Sequence, residues 1–368
     1  MKWSFDIIND FDRGIGLCET IFNSSDAPYV FSHPAMLRAW WDTYVPLRRM
    51  KPVFVTGRSA DGNEFVFPLL LWNRNWKNAF QHVLVPIGYS DFDYHDPLFR
   101  QIPAGDDKVR FWSELTAFIN DNVTFDRLDL DGISDNMSLK SDHWSVNEIC
   151  PMLRLDGIDS EDDLMKFFKT SLRGDIRRQI RRLSETGDLQ LVEYSDFESI
   201  PPATFRLFMQ QHSLRWPNAY KAPHFHENLL KYGLKEKCVH FSVLKAGDNE
   251  VAWHLGFEHK GRFYYYMPAG HQDYLKFSPA KIHLFFLVRR AVENGLEIFD
   301  HLRGEENYKD GWSNDSQYVN TYTSDSNSTA SIVKRNLLKL RDSLYPPPLI
   351  SPCLSTLYAM HHEQRECA

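Results

Sequence analysis

Three residues in the last quarter of the sequence have types suited to moving protons and charge: Asp300, Tyr308 and Lys309. Asp300 lies in Glu297-Ile298-Phe299-Asp300-His301-Leu302, which reads as a β-strand, and a carboxylate there is costly to bury without a partner. Tyr308-Lys309 follows in a polar segment, with Arg303, Glu305 and Trp312 as neighbours. Group transfer to a nucleophile needs a base, positive charge opposite a developing oxyanion, and a proton for the leaving group. Asp can take a proton, Lys supplies charge, and Tyr donates a proton. The competing reading is an ion pair, Asp300 with Lys309, that pins the loop to the sheet. His254 is a further candidate base. It alternates with apolar Val251, Trp253, Leu255 and Phe257, so it faces the other side of its strand, where a hydrogen-bonded sheet histidine is also ordinary.

Other groupings have the types to bind. Phe277-Ser278-Pro279-Ala280-Lys281-Ile282 sits between a strand and a helix. Unpaired N–H groups at a helix start attract phosphate, Pro suits the first turn, and Lys281 adds charge. The ordinary alternative is a helix capped by Ser278. From Lys166 to Arg182 there are seven cations against one anion, Asp175, with Arg173, Arg177 and Arg181 four apart on one face. Such a run is a solvated face or a seat for a polyanion. The loop holding Asp91, Asp93, Tyr94 and Asp96 combines carboxylates and rings that suit a cationic or sugar-like ligand. It lacks the glycine-centred pattern of a calcium loop, and His224-x-His226 and His361-His362 lack partners at ligand spacing, so no metal is expected.

The elements that must position these residues alternate in type. In the first half a helix is expected from Pro34 to Tyr44, a hairpin at Pro52–Gly57 and Glu64–Leu69, a strand at His82–Pro86, a helix at Lys108–Asn120 and a strand at Phe125–Leu130. After a hinge at Asp156–Glu161 come the basic helix, a strand at Leu189–Tyr194 and helices at Pro202–Leu214 and His224–Leu234. Then follow strands at Val239–Leu244, Val251–Glu258 and Arg262–Met267, a helix at Ala280–Asn294 and the strand at Glu297–Leu302. The first half is a shorter version of the same order. The reading is a mixed α+β chain, with domains at 1–155 and 156–325, then a helix at Ser331–Leu344 and a Pro-rich extended tail from Tyr345.

Composition narrows the function classes. The chain has 368 residues, 43% hydrophobic and 14% aromatic, with net charge −7, which disfavours a DNA-binding protein. Five cysteines with no C-x-x-C argue against a disulfide framework or zinc ribbon. No apolar run approaches the roughly 18–20 residues of a membrane span, and Met1–Asp6 has no signal-peptide core, so a cytoplasmic location is expected. No nucleophile elbow, Walker loop or zinc motif occurs.

Arg262-Phe263-Tyr264-Tyr265-Tyr266, Tyr274–Ala280 and Phe299–Lys309, together with the basic helix, resemble the GNAT-type acyltransferases of the CelD-like group, relatives of the Fem-type aminoacyl transferases. The resemblance is strong over residues 161–312. It implies two tandem GNAT-like domains, each a mostly antiparallel sheet flanked by helices, and transfer of an acyl group from acyl-CoA to an amine. It places CoA at Phe277, Ser278, Ala280, Lys281 and Ile282. Chemistry falls to Lys309, Tyr308, Asp300 and His254, and substrate contacts to Asp91, Asp93, Tyr94, Arg173, Arg177, Glu305 and Trp312. The first half would take the acceptor, an amino sugar or amino acid, in the cleft between the halves. Where the group commonly has Ser-Pro-Gly, this chain has Ser278-Pro279-Ala280, and the usual GNAT phosphate signature is absent. Two alternatives remain: aminoacyl-tRNA as donor, disfavoured by the acidic charge and the lack of a coiled-coil arm, and a non-catalytic binding protein.

Overall fold

The computed structural model describes residues 2–25, 28–134 and 143–344. Cys353, Cys367, His361-His362 and the Pro346-Pro347-Pro348 tail lie outside the described residues. In chain order the elements begin β1 (Trp3–Ile8), α1 (Phe11–Ser24), α2 (Pro34–Tyr44), β2 (Met50–Ser59), β3 (Glu64–Asn73), β4 (His82–Pro86), β5 (Leu98–Phe99), α3 (Gly105–Asn122), β6 (Arg127–Ile133) and β7 (Trp144–Arg154). They continue with α4 (Glu161–Phe167), α5 (Thr170–Ser184), β8 (Leu189–Tyr194), α6 (Pro202–Arg215), α7 (Phe225–Lys235), β9 (Val239–Ala246), β10 (Asn249–His259), β11 (Arg262–Gly270), α8 (Pro279–Glu293), β12 (Ile298–Asp300), β13 (Asp315–Asp325) and α9 (Thr329–Leu344).

Two compact units form. The first takes the chain up to Asn147, the segment Lys221–Phe225 and the chain from Tyr318; the second takes Glu148–Tyr220 and His226–Gln317. One order recurs in both: strand, two helices, three antiparallel strands, helix, then a strand parallel to the third. It is β1-α1-α2-β2-β3-β4-α3-β6 in the first unit and β8-α6-α7-β9-β10-β11-α8-β12 in the second. The parallel step pairs Val83 with Arg127 in one and Arg262 with Ile298 in the other. Each unit then closes with a strand from the other half of the sequence. Tyr322 of β13 pairs with Leu130 of β6, and Leu153 of β7 pairs with Phe299 of β12. The expected boundaries at 155 and 325 therefore compare with divisions that fall inside β7 and β13 themselves.

Both cores follow from these strands. The first unit packs Val55, Phe67 and Leu128 of the sheet against Phe111, Trp112 and Leu115 of α3. The second packs Phe263, Tyr265 and Phe299 against Leu284, Phe285 and Val288 of α8. The basic helix differs from expectation. Phe168 and Lys169 adopt extended backbone, so α4 ends there and α5 starts at Thr170. Ile176 and Leu183 bury its apolar side, while Arg177 and Arg181 are exposed.

Lys221 anchors its segment inside the first unit. Its ammonium donates to the Ser90 carbonyl and lies 3.8 Å from Asp91 Oδ1, with the two side chains 2% and 4% exposed. Trp40 Nε1 donates to the other Asp91 oxygen at 2.9 Å. Removing one member of a buried pair leaves an uncompensated charge. Lys221→Ala should lower stability by about 3–5 kcal/mol, read as a lowered denaturation midpoint of the full chain; a midpoint within error of wild type would contradict the pairing.

Candidate active site

A bulge sets the geometry of the second unit. Leu255 pairs with Met267 but Phe257 pairs with Tyr264, so Tyr265 and Tyr266 together stand opposite Gly256. A Cβ on Gly256 would lie 2.5 Å from the Tyr264 carbonyl oxygen and 2.3 Å from His254 Cε1, so only glycine fits. A bulge bends its strand. β11 pairs with β12 only from Arg262–Ile298 to Tyr264–Asp300, and β11 then runs on to Gly270 while β12 stops. Past Tyr264 the two strands share no ladder: β11 runs on beside β10, while the chain after Asp300 runs on beside β7 through His301 N–H to Pro151 O and Gly304 N–H to Ile149 O, which leaves a wedge without hydrogen bonds between them.

At the β12 side of the wedge the chain turns sharply. Asp300 is fully buried, accepts the Leu302 N–H at 2.8 Å and lies 3.4 Å from Arg262 Nη1. Leu302 has φ +59°, a strained left-handed position that Asp300 holds. The Lys309 ammonium donates to the carbonyls of Leu302 (3.2 Å), Arg303 (2.7 Å) and Gly304 (3.3 Å), and meets Glu306 Oε2 at 2.8 Å. Four oxygens therefore share its three N–H bonds. The Asp300–Lys309 pair of the competing reading is not present; each pins the 300–309 turn separately. Tyr308 stands beside this clasp, 38% exposed. Burial, then Glu306, pushes its hydroxyl pKa up, so it stays protonated. Tyr265 is raised well above its ordinary value by burial and by Tyr308, and Arg215 draws both hydroxyls partly back.

At the other end of β11, α8 begins at Pro279 with Ser278 in the left-handed region (φ 52°) and no side chain capping the first turn. Ser278 is therefore not the hydrogen-bonding cap that the alternative reading required. Gly270 packs against Pro279 and Ala280. Phe277 lies under two cations, Arg182 at 5.4 Å and Lys276 at 5.0 Å from its ring centre. Lys281 turns to Asp175 of α5 at 2.7 Å, so α5 runs beside this helix start.

The model for an acetyltransferase (GNAT) domain matches residues 170–310. This segment is a GNAT acyltransferase domain. The structure titled FemX matches with TM-score 0.55 at 10% identity, over 92% of this chain and 99% of that one. A conserved protein of unknown function from Bacteroides thetaiotaomicron matches at 0.50 and 12%, over 88% and 99%. The C-terminal domain of an Agrobacterium fabrum protein assigned as a lysylphosphatidylglycerol synthetase matches at 0.51 and 11%, over 89% and 98%. At these identities the likeness is one of fold. No curated protein sequence matches the chain.

Several expected site residues of the GNAT domain and its companion unit lie elsewhere. His254 is 1% exposed, stacked on Tyr265 at 4.6 Å between His240 and His283, with neither ring nitrogen hydrogen-bonded. Burial, then its two histidine neighbours, holds its pKa well below the usual value, which makes it a poor base. Trp312 is a core residue against Phe168. Arg173 reaches back to Met165 O and Thr170 Oγ1. Asp91 and Tyr94 are inside the first unit, Tyr94 stacked on Tyr29, and Asp93 is partly buried. Glu305 is exposed in the turn that follows β12. The sequence reading counted Arg182 in the basic helix but did not single out Gly256, Tyr265 or Arg215 as site residues. The Tyr264–Tyr266 run and a glycine inside an apolar strand are the only local signals. No group among the described residues forms a metal cluster.

Gly256→Ala should lower the melting temperature and reduce any donor binding together, since the bulge and the wedge share one constraint; an unchanged melt and unchanged binding would count against it. The buried histidines give a second prediction. His283 and His301 are lowered to about 3 by burial, against 6.5 unfolded. Their folded values are depressed, so above about pH 7 they contribute nothing, and below 6.5 the unfolded chain takes up protons that the native chain refuses. Each costs about 1.4 kcal/mol by pH 5.5. Asp96 and Asp129, raised to about 6 by burial, oppose this in the first unit. His301→Gln should flatten the fall in melting temperature between pH 7.5 and 5.5; an unaltered pH slope would refute the assignment.

Proposed function

We propose that the GNAT domain moves an acyl group from acyl-CoA to the amine of a small acceptor such as an amino sugar or amino acid. The observation that carries this reading is the wedge between β11 and β12, with the uncapped start of α8 at one end and Tyr308 at the other. The open edge of β11 offers backbone groups to a chain with amide bonds, as a strand edge does to a peptide. The first-turn N–H groups of α8, with Lys276 and Arg182 beside them, suit a pyrophosphate. Exposed Arg177 and Arg181 extend the positive field along α5. Phe277, Ser278, Ala280 and Ile282 contribute the turn and the backbone, while Lys281 acts through Asp175.

Tyr308 is the general acid in this scheme. The neutral acceptor amine attacks the thioester carbonyl carbon, the C–S bond breaks, the departing thiolate takes the Tyr308 proton, and the proton lost by the new amide nitrogen passes through solvent to restore Tyr308. A hydroxyl held protonated by its surroundings suits that step. Exposed Glu305 lies in the same turn, where a carboxylate favours an ammonium-bearing acceptor. Asp300 and Lys309 are positioning residues: they hold the turn that presents Tyr308. Cys18 and Cys238 are buried and form no disulfide, in keeping with a reducing compartment. The exposed arginine row equally supports an aminoacyl-tRNA donor, and the donor experiment separates the two.

Calorimetry should show saturable binding of acetyl- or longer acyl-CoA and none of aminoacyl-tRNA; the reverse pattern would transfer the assignment to tRNA, and no binding of either would remove it. Tyr308→Phe should lower kcat by about 100-fold or more with little change in melting temperature. Lys309→Ala should lower both, and an Lys309→Ala protein as stable as wild type would show that Lys309 is not the clasp.

A further inference from the structure

Tyr265 carries a hydroxyl that its packing does not use. The ring itself is a core ring, 5% exposed, stacked on His254 at 4.6 Å and 8°, and set against Phe299 (5.9 Å) and His301 (6.1 Å). Phe263, Phe285 and Phe299 of the same core have no polar atom on their rings, and a phenylalanine at 265 would keep the same apolar contacts. A hydroxyl withdrawn from water without a partner lowers stability. No group among the described residues hydrogen-bonds the Tyr265 hydroxyl. Nor is it sealed: both ring nitrogens of His254 and Nδ1 of His301 are closed to solvent beside it, and this oxygen is not.

The bulge decides where that oxygen opens. Tyr265 is the first residue past the last rung between β11 and β12, Tyr264–Asp300. Its ring neighbours Phe299 and His301 lie on the far side of the wedge, so the ring spans it at its closed end. His301 begins the turn that presents Tyr308. Burial, then Tyr308, holds the Tyr265 hydroxyl well above its ordinary pKa, so it keeps its proton, and Arg215 acts on both tyrosines. Arg215 follows Phe208 and Gln211 on one stripe of α6. Phe208 meets Phe241 of β9 at 5.4 Å, and Gln211 accepts the Gln272 N–H at 3.0 Å just past β11. That stripe therefore crosses the sheet toward β11 and ends in a cation.

Acyl transfer needs a donor at this place. Attack on a thioester puts negative charge on the carbonyl oxygen, and a preset hydrogen-bond donor there lowers the barrier. The Tyr308 proton goes to the departing sulfur, and the Lys309 ammonium is already shared among four oxygens. Resting on the acyl-CoA reading, we propose that Tyr265 is a catalytic residue: its hydroxyl donates a hydrogen bond to the thioester carbonyl oxygen and holds the charge formed there, while Tyr308 protonates the sulfur. Tyr265 keeps its own proton throughout. The competing donors are a backbone N–H on the open edge of β11 and Tyr308 itself.

The test is infrared difference spectroscopy of the full-length chain with acetyl-CoA and octanoyl-CoA, isotope-labelled at the carbonyl carbon. A donated hydrogen bond weakens the C=O bond. The carbonyl stretch of the bound thioester should therefore lie lower in wild type and in Tyr308→Phe than in Tyr265→Phe. Tyr265→Phe should melt at or above the wild-type temperature, because the hydroxyl it loses has no partner in the protein. Its kcat should fall about 100-fold or more with little change in the KM for acyl-CoA, as for removal of an oxyanion donor. An equal stretch in wild type and Tyr265→Phe assigns the carbonyl to the backbone, and a stretch that moves only in Tyr308→Phe assigns it to Tyr308. Either result overturns the proposal and leaves the acyl-CoA reading standing. A melting temperature of Tyr265→Phe lowered by several degrees makes the hydroxyl structural and overturns it as well. No bound thioester in wild type removes the acyl-CoA reading and this proposal together.

Discussion

The close approach of Gly256 to the Tyr264 carbonyl governs the second unit. Two residues of β11 must stand opposite one of β10, and β11 bends where its parallel ladder to β12 ends. Parallel strands kept in register would fill the space with hydrogen bonds and leave no edge for a ligand. The bend ends that ladder beyond Tyr264 and so leaves β11 with an open edge, bounded by the start of α8. Tyr265 lies in the bulge itself, which explains why a tyrosine buried to 5% exposure sits next to the half-exposed Tyr308.

The turn after β12 is held by charge rather than by apolar packing. Asp300 fixes the left-handed Leu302, and Lys309 gathers three successive carbonyls that point inward because of that turn. A buried ammonium is tolerable only with such a cage. Both residues are thus committed to shape. The first unit uses the same device, with Lys221 and Asp91 buried together. A carboxylate-rich loop that looked open from its composition is closed by a lysine from more than a hundred residues away.

Duplication of the fold is carried by element order alone. Eight elements recur in sequence across the two units, each with its parallel step, yet no repeat of residues accompanies them. Side chains on each sheet need only be apolar and of suitable volume, so sequences drift while the pattern of faces persists. The likeness to FemX over nearly the whole of both chains at 10% identity has the same basis.

Strong periodicity was enough to place α2 at Pro34–Tyr44, β4 at His82–Pro86 and β8 at Leu189–Tyr194, because local pattern and burial agree there. The residues that pointed to acyl transfer, Tyr308 and the start of α8, were legible for the same reason: a strand, a turn and a helix are local. β13 was not, since Asp-Ser-Gln-Tyr-Val-Asn-Thr-Tyr is polar and becomes a strand only by pairing with β6. Nor were the fates of Asp91, His254, Trp312 and Lys309, whose types fit catalysis or binding equally well. Burial and partners assign those roles, and both come from segments far apart in the chain. Residue type and spacing fixed the elements and the chemistry on offer; long-range packing decided which charged groups face a substrate and which are spent holding the backbone in place.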